Sequence, residues 1–228
     1  MTRNRKGAKK PIGEIGSTKI TAGPEGMTAE IIHTELPDQK EPLEKLFAEA
    51  FQAQFNGTKP LGDGITILNL SQNDTHDLDF KIDCEIADYL ELAELNPRSE
   101  PFGREAYRTG RLNVYEYTRW IYYRVIRTKQ RKYGMLCKRV ILLLYVTHWQ
   151  FLPSQRVFEC LRGFLASDGC DFPAVFVLLT DGRELRHLEL VFPFFGPKLL
   201  PPNAYKNFTL TNLEPGHFKW NVDSATDN

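Results

Sequence analysis

Charged residues, mostly acidic, occupy alternate positions in the first half of the segment DLDFKIDCEIADYLELAEL, residues 77–95, whose pattern predicts a β-hairpin. With the turn centred near Glu85, Asp79 lies opposite Glu91. Directly opposed side chains have Cβ atoms about 5 Å apart, and like charges at that distance destabilise a sheet. A divalent cation reverses this penalty and can stabilise charge at a phosphoryl centre. The spacing therefore indicates either a cation site or a solvated, charged face of the hairpin.

A second group with chemical potential is basic and aromatic. Residues 98–139 contain twelve basic and three acidic side chains, in a chain whose formal net charge is zero. Charge separated in this way attracts polyanions. The same basic residues could instead complement the dipole at a helix end. We expect most of the aromatic side chains in this segment to pack on a sheet. The basic residues predicted to contact a nucleic acid, DNA in particular, are Arg124, Arg127, Lys129, Arg131 and Lys132.

Helices and strands must position these residues, and their predicted order is helix, three strands, helix, strand, helix, strand, strand. The long helical segment 105–133 is expected to divide near Gly110 and Asn113, and to end at Gly134. This order predicts an α/β protein with a mixed central β-sheet flanked by helices on both faces. The other predicted segments are a helix over 41–57, a strand over 65–70, a strand over 139–147, a helix over 153–167, and strands over 173–180 and 184–195.

Composition predicts one globular α/β domain over residues 39–196, preceded by a flexible basic N-terminal arm (1–38) and followed by a C-terminal extension (197–228). The four cysteines form no CxxC pair, which argues against a structural zinc site or a disulfide framework. Their scatter predicts a cytoplasmic location. The longest apolar run, 140–146, is too short to span a bilayer, so no membrane partner is expected. A homodimer is compatible with the sequence.

The hairpin in this context resembles the PD-(D/E)xK nuclease superfamily, over about residues 43–179. LDF at 78–80 takes the place of the family's Pro-Asp, and ELA at 91–93 takes the place of its (Asp/Glu)-x-Lys. The resemblance implies a restriction-endonuclease-like fold and a bound Mg²⁺ or Mn²⁺. It also implies the metal ligands, which would be Asp79, Glu91, the backbone carbonyl of Leu92 and, as the candidate helix acid, Glu44.

The sequence departs from this family pattern where Ala93 replaces the lysine that positions the attacking water. Lys81, on the same strand face as Asp79, is the predicted substitute, so the catalytic set would be Asp79, Glu91 and Lys81. The predicted function is that of a metal-dependent phosphodiesterase or endonuclease acting on DNA. The alternative is a nuclease-fold module without catalysis that binds nucleic acid or a protein partner.

Overall fold

The computed structural model describes residues 15–23, 26–34, 36–73, 77–179, 187–196, 199–211 and 218–220. The strands are β1 (Ile15–Gly23), β2 (Gly26–Thr34), β3 (Leu70–Gln72), β4 (Phe80–Cys84), β5 (Ala87–Glu94), β6 (Arg111–Asn113), β7 (Val140–Tyr145), β8 (Ala174–Leu179), β9 (His187–Phe192), β10 (Thr209–Thr211) and β11 (Phe218–Trp220). The α-helices are α1 (Lys40–Thr58), α2 (Pro101–Thr109), α3 (Val114–Trp120), α4 (Arg127–Tyr133) and α5 (Gln155–Asp168). A π-helical segment, Ile121–Ile126, joins α3 to α4.

Six strands form a central mixed sheet in the order β3-β4-β5-β7-β8-β9. Strands β5, β7 and β8 run parallel, while β3, β4 and β9 pair antiparallel with their neighbours. The predicted class, an α/β protein with a mixed central sheet and flanking helices, is therefore confirmed. Within the described ranges, no helix is long and apolar enough to cross a membrane.

The sheet separates two hydrophobic clusters, one on each face. Helix α1 packs on the first face, and α3, the π-helical segment and α5 pack on the second. All six residues of β7 are buried, because helices cover both of its faces. The continuous apolar run VILLLY is the sequence signal of that position. Helices on both faces thus fix the central strand β7. Strand β7 in turn holds its neighbour β5 in place, and β5 holds β4.

Helix α1 buries one stripe of large side chains at four-residue spacing, Leu43, Phe47, Phe51 and Phe55. The helix continues past Gly57, the expected stop, to Thr58. It ends at Lys59, whose φ of 49° is left-handed and whose N–H donates to the carbonyl of Phe55. Packing of the stripe, rather than the position of the glycine, therefore sets where this helix ends.

The prediction of a strand over residues 65–70 is wrong. The strand that forms is β3, which begins at Leu70. Side chains of α1 take the backbone groups that a strand partner would use. The Asn56 amide accepts from the Ile67 N–H at 2.8 Å and donates to the Ile67 carbonyl at 2.9 Å. Gln52 donates to the same carbonyl at 3.0 Å. These bonds tie the segment to the helix.

The long helical segment divides where the sequence predicts. Helix α2 ends at Gly110, in the left-handed region with φ of 68°. Strand β6 follows, and the Asn113 side chain then caps α3 by accepting from the Glu116 N–H at 3.0 Å. The same side chain donates to the Lys206 carbonyl at 3.0 Å, and β6 pairs with β10. The segment from Lys206 to β10 is therefore attached to the start of this helix.

Within residues 1–38, the predicted flexible basic arm, β1 and β2 form an antiparallel hairpin, with Ile15 opposite Thr34. Strand β11 adds to β2 and completes a three-stranded sheet. The basic residues of the predicted arm up to position 14 lie outside the described residues. The division into arm, domain and extension stays a prediction.

Candidate functional site

The hairpin formed by β4 and β5 has the register that the sequence predicts at its open end. Lys81 lies opposite Tyr89, as expected for a turn centred on Glu85. A bulge between Lys81 and Cys84 shifts the pairing near the turn, where Cys84 lies opposite Ala87. The bulge takes up the irregularity at the turn, so Asp79 and Glu91 arrive side by side at the other end.

Asp79 lies where the chain crosses from one face of the sheet to the other. Leu78 packs in the cluster beneath α3 and α5, whereas Phe80 packs in the cluster beneath α1. The Leu92 N–H donates to Asp79 Oδ2 at 2.8 Å, where a continuing strand would offer a carbonyl. Since the N–H and carbonyl of a strand residue point the same way, the Leu92 carbonyl faces this side as well. The carboxylate of Asp79 thus ends the ladder and lies beside that carbonyl.

Glu91 is almost fully buried, with 4% of its side chain exposed, and both of its oxygens accept hydrogen bonds. Oε1 accepts from the ammonium of Lys129 and, at 2.7 Å, from the hydroxyl of Tyr133. Oε2 accepts from the Asp79 N–H at 3.3 Å. The two acidic residues therefore contact each other directly, and α4 supplies the cation and the hydroxyl that hold Glu91.

Glu44 approaches the same region from α1. Its side chain is 13% exposed and pairs with Lys40 at 3.1 Å. Its charge raises the pKa of Asp79, and the charge of Glu91 raises the pKa of Glu44. Within the described part of the chain, no three His, Cys, Asp or Glu side chains are close enough together to hold a metal ion. Glu44 thus influences the Asp79–Glu91 pair through its charge, and its role as a metal ligand stays a prediction.

Burial is the largest cause of the raised pKa values of Asp79, Glu91 and Glu44. Repulsion between neighbouring carboxylates adds to the effect, while Lys129 lowers the pKa of each of the three. The ammonium groups of Lys129 and of Lys40 beside Glu44 do not offset these effects, since the pKa of each of the three carboxyls stays above its ordinary value. Two carboxylates and a strand carbonyl are oxygen ligands of the kind that Mg²⁺ uses when it keeps several waters. The donor set thus fits a hard divalent cation.

Two lysines differ in their relation to the pair. Lys81, the predicted catalytic lysine, is exposed on β4. Lys129, predicted to contact phosphate, is 22% exposed and forms an ion pair with Glu91. Lys129 and Tyr133 are four residues apart on one helix face, which is the sequence signal for a shared contact. The residue that this helix face contacts is Glu91, which is 38 residues from Lys129 in the sequence. The spacing of residues along the helix could not identify it.

The other predicted nucleic-acid contacts lie on different sides of the helix. Arg124 and Arg131 are exposed and border a cavity on its outer side. Arg127 is half-buried and lies over an aromatic ring. Lys132 donates to the hydroxyl oxygen of Tyr133 at 2.9 Å, so it lies next to the carboxylate pair. The predicted nucleic-acid contacts therefore lie in two separate places: Arg124 and Arg131 border the cavity, whereas Lys129 and Lys132 lie near Glu91.

Comparison with protein-family models, with curated proteins and with solved structures finds no match to this chain. The class of protein is accordingly defined by its own features. It is an α/β protein with a mixed six-stranded sheet, which carries a pair of acidic residues in contact, the buried Glu91 and the half-buried Asp79, at the open end of one hairpin.

Proposed function

We propose that the protein is a metal-dependent phosphodiesterase that cleaves DNA, with Asp79 and Glu91 at its centre. The supporting observation is the contact between these two residues at the end of one hairpin, with the ammonium of Lys129 bonded to Glu91. The buried Glu91 and the half-buried Asp79, beside the half-buried Lys129, form the kind of set that the nuclease resemblance implies, although the lysine comes from a helix. The resemblance and the geometry thus support the same two acidic residues, and they differ in the lysine.

Asp79, Glu91 and the Leu92 carbonyl would hold the metal ion. When bound, Mg²⁺ or Mn²⁺ would lower the pKa of a coordinated water and stabilise charge on the phosphate. Asp79 keeps its position through the bond from the Leu92 N–H. Glu91 keeps its orientation through the hydroxyl of Tyr133. The protein therefore preorganises both carboxylates before substrate arrives.

Lys129 would supply the function of the lysine that Ala93 replaces. Its ammonium lies in a partly buried position, where a fixed charge acts more strongly than in water. Placed beside a scissile phosphate, it would offset the negative charge that develops as the attacking oxygen bonds to phosphorus. Lys132, bonded to Tyr133 at the edge of the site, would contact the adjacent phosphate.

The proposal is tested by incubating purified protein with plasmid and linear DNA in Mg²⁺ or Mn²⁺. We expect Asp79→Asn to abolish cleavage. Lys129→Met is expected to slow cleavage about 10²- to 10³-fold, the usual effect of removing one preorganised charge stabiliser. Lys81→Met is the matched control, because it removes the same charge from an exposed strand position. Thermal melts of each variant establish that it is folded.

Equal cleavage by the wild type and Asp79→Asn would contradict the proposal. A loss of activity in Lys81→Met with full activity in Lys129→Met would return the catalytic role to Lys81.

A second candidate function is that of a nucleic-acid-binding module without catalysis. It is favoured by the bonds from Lys129 and Tyr133, which already occupy Glu91 Oε1. Salt-sensitive DNA binding by a wild type that never cleaves would support it.

A further inference from the structure

A cavity of about 570 Å³ lies between the start of α2 and the outer side of the helix formed by α3, the π-helical segment and α4. It is on the side of this helix that carries Arg124 and Arg131, away from Lys129 and the carboxylate pair. None of the roles proposed above uses it. Its aromatic lining residues are Phe102, Trp120 and Tyr123.

Charged side chains of both signs complete the lining. The basic residues are Arg119, Arg124 and Arg131, and the acidic residues are Glu100 and Glu116. Glu116 and Arg119 are 4.0 Å apart, so they partly neutralise each other. Arg124 and Arg131 are exposed and have no ion-pair partner among the described residues. The cavity thus offers flat apolar faces, acceptors of hydrogen bonds and two available positive charges.

Trp120 is held in position by its neighbours. Its ring is half-buried and stacks on Tyr117, with ring planes 16° apart and centroids separated by 6.2 Å. Tyr123 is 43% exposed, and its hydroxyl donates to Asp168 Oδ2 at 3.3 Å. Both rings are therefore fixed before a ligand arrives, which reduces the entropy lost on stacking.

The π-helical segment lies directly beside these rings. Its wide turn is marked by the Arg127 N–H, which donates to the carbonyl of Tyr122, five residues earlier. Such a turn adds a residue to the helix, and π-turns occur frequently at functional sites. Here the segment joins the part of the helix that carries Trp120 to the part that directs Lys129 at Glu91. One helix therefore borders both the cavity and the carboxylate pair.

We infer that this cavity binds one nucleotide of a single-stranded nucleic acid, with its base stacked on Trp120. Arg124 and Arg131 bind the flanking phosphates, and the acids at the rim accept from amino groups of the base edge. A phosphate ion alone would use neither the rings nor the acids. A base in a duplex has no free face to stack, so the strand must be single there.

The choice of a nucleic-acid strand as the occupant rests on the proposed function. A helix with its side chains is about 10–12 Å across. A strand that leaves the cavity past Arg131 therefore needs to pass only around the last turn of α4, by Lys132, to reach Glu91. The cavity would hold the strand a short distance from the residues proposed to cleave it.

The test measures fluorescence anisotropy of a labelled oligodeoxycytidine, about twenty nucleotides long to exceed one binding site, in EDTA so that no cleavage occurs. We expect Trp120→Ala to weaken binding about 5- to 150-fold, the loss of one base–aromatic stack. Trp120→Phe keeps most of the affinity. The double variant Arg124→Ala/Arg131→Ala, at exposed positions, weakens binding without affecting the fold. Lys138→Ala, exposed and outside the cavity, leaves the affinity unchanged.

A competing arm uses deoxycytidine monophosphate, which is expected to displace the strand at high concentration, and a duplex of the same length is expected to bind more weakly. Equal strand affinity in wild type, Trp120→Ala and the double arginine variant would overturn the inference. The inference would also be overturned if deoxycytidine monophosphate bound to the protein while Trp120→Ala and the double arginine variant kept the strand affinity of the wild type. Failure of the proposed function is distinguishable, because it would appear as absent cleavage in Mg²⁺ with this binding pattern retained.

Discussion

Glu91 is the only acidic residue that is buried within the described part of the chain. Breaking a buried ion pair by removing one partner is strongly destabilising, because it leaves a charge without compensation. Lys129 therefore serves stability in the metal-free protein, whatever its role with substrate. The ionised carboxylates of Glu44, Asp79 and Glu91 destabilise the fold, since burial raises the pKa of each of them.

Glu44→Gln is expected to stabilise the metal-free protein. Burial raises the pKa of Glu44 in the folded protein above its ordinary value of 4.5. Glu44 therefore does not destabilise the fold below pH 4.5, and it destabilises the fold increasingly as the pH rises through the folded-state pKa. The gain from the substitution is therefore greatest at neutral pH, about 1 kcal/mol or 2–4 °C in Tm, and disappears in acid. Thermal melts across this pH range measure it.

Glu49→Gln is the matched control for that experiment. Glu49 lies on the same helix and pairs with Lys45 at 3.8 Å, but 58% of its side chain is exposed. We expect no pH-dependent gain there. A gain of the same size at both positions would show that burial of Glu44 is not its cause.

The acidic pair itself could be predicted from the sequence, because alternation and register are local properties of a hairpin. Asp79 and Glu91 meet where the pattern places them. The lysine could not be predicted, since a helix 38 residues further on supplies Lys129. Packing of that helix on the sheet decides which of its basic residues turns inward, and the spacing of charges along the helix does not reveal this.

At the scale of the elements, the start of α2 is held unusually close to the loop before it. A Cβ added to Gly103 would lie 1.9 Å from the carbonyl oxygen of Pro97. That carbonyl also accepts from the Glu100 N–H at 2.9 Å, so it cannot move away freely. The residue without a side chain thus allows α2 to form one wall of the cavity.

Gly103→Ala is therefore expected to lower the free energy of unfolding by about 1–3 kcal/mol or more, through overpacking. Gly57→Ala, near the end of α1, meets no atom within 4 Å and is expected to raise it by about 0.5–1 kcal/mol, since alanine loses less backbone entropy. Urea unfolding of both variants measures the difference. Two values of the same sign would contradict the role assigned to the close approach.

The order of the main elements follows from periodicity, as the apolar run of β7 and the stripe of α1 illustrate. Elements that depend on distant partners were not predictable. Strand β6 exists because β10 pairs with it, and the segment before β3 is held by amides of α1. Short strands carry too few residues to show a period, so tertiary contacts decide them.

At the scale of the whole molecule, the basic excess in residues 98–139 is smaller than its count suggests. Three of its members form ion pairs with acidic residues outside the segment: Lys129 with Glu91, Lys132 with Asp77 and Arg139 with Asp88. Arg124 and Arg131 form no ion pair with a described residue and remain available to a polyanion. Charge counts from sequence thus overstate the binding field, because they cannot assign partners.

The salt dependence of strand binding should reflect this. Arg124→Ala/Arg131→Ala is expected to reduce the slope of log Kobs against log salt concentration by about 0.7 for each phosphate that the variant no longer neutralises. Arg139→Ala, whose guanidinium is bonded to Asp88 at 2.7 Å, should leave the slope unchanged. Titrations at several NaCl concentrations measure both, and equal slopes for all three proteins would contradict the assignment.

The attachment of β10 to β6 has a consequence for how the protein matures during translation. In the helix that begins at Val114, the Val114 N–H donates to the carbonyl of Phe208, which lies 94 residues later in the sequence. During synthesis from the N-terminus, the sheet strands emerge before that carbonyl exists. The helix bordering both the carboxylates and the cavity can therefore receive this bond only after Phe208 has been synthesised, so a chain that stops before Phe208 would lack it.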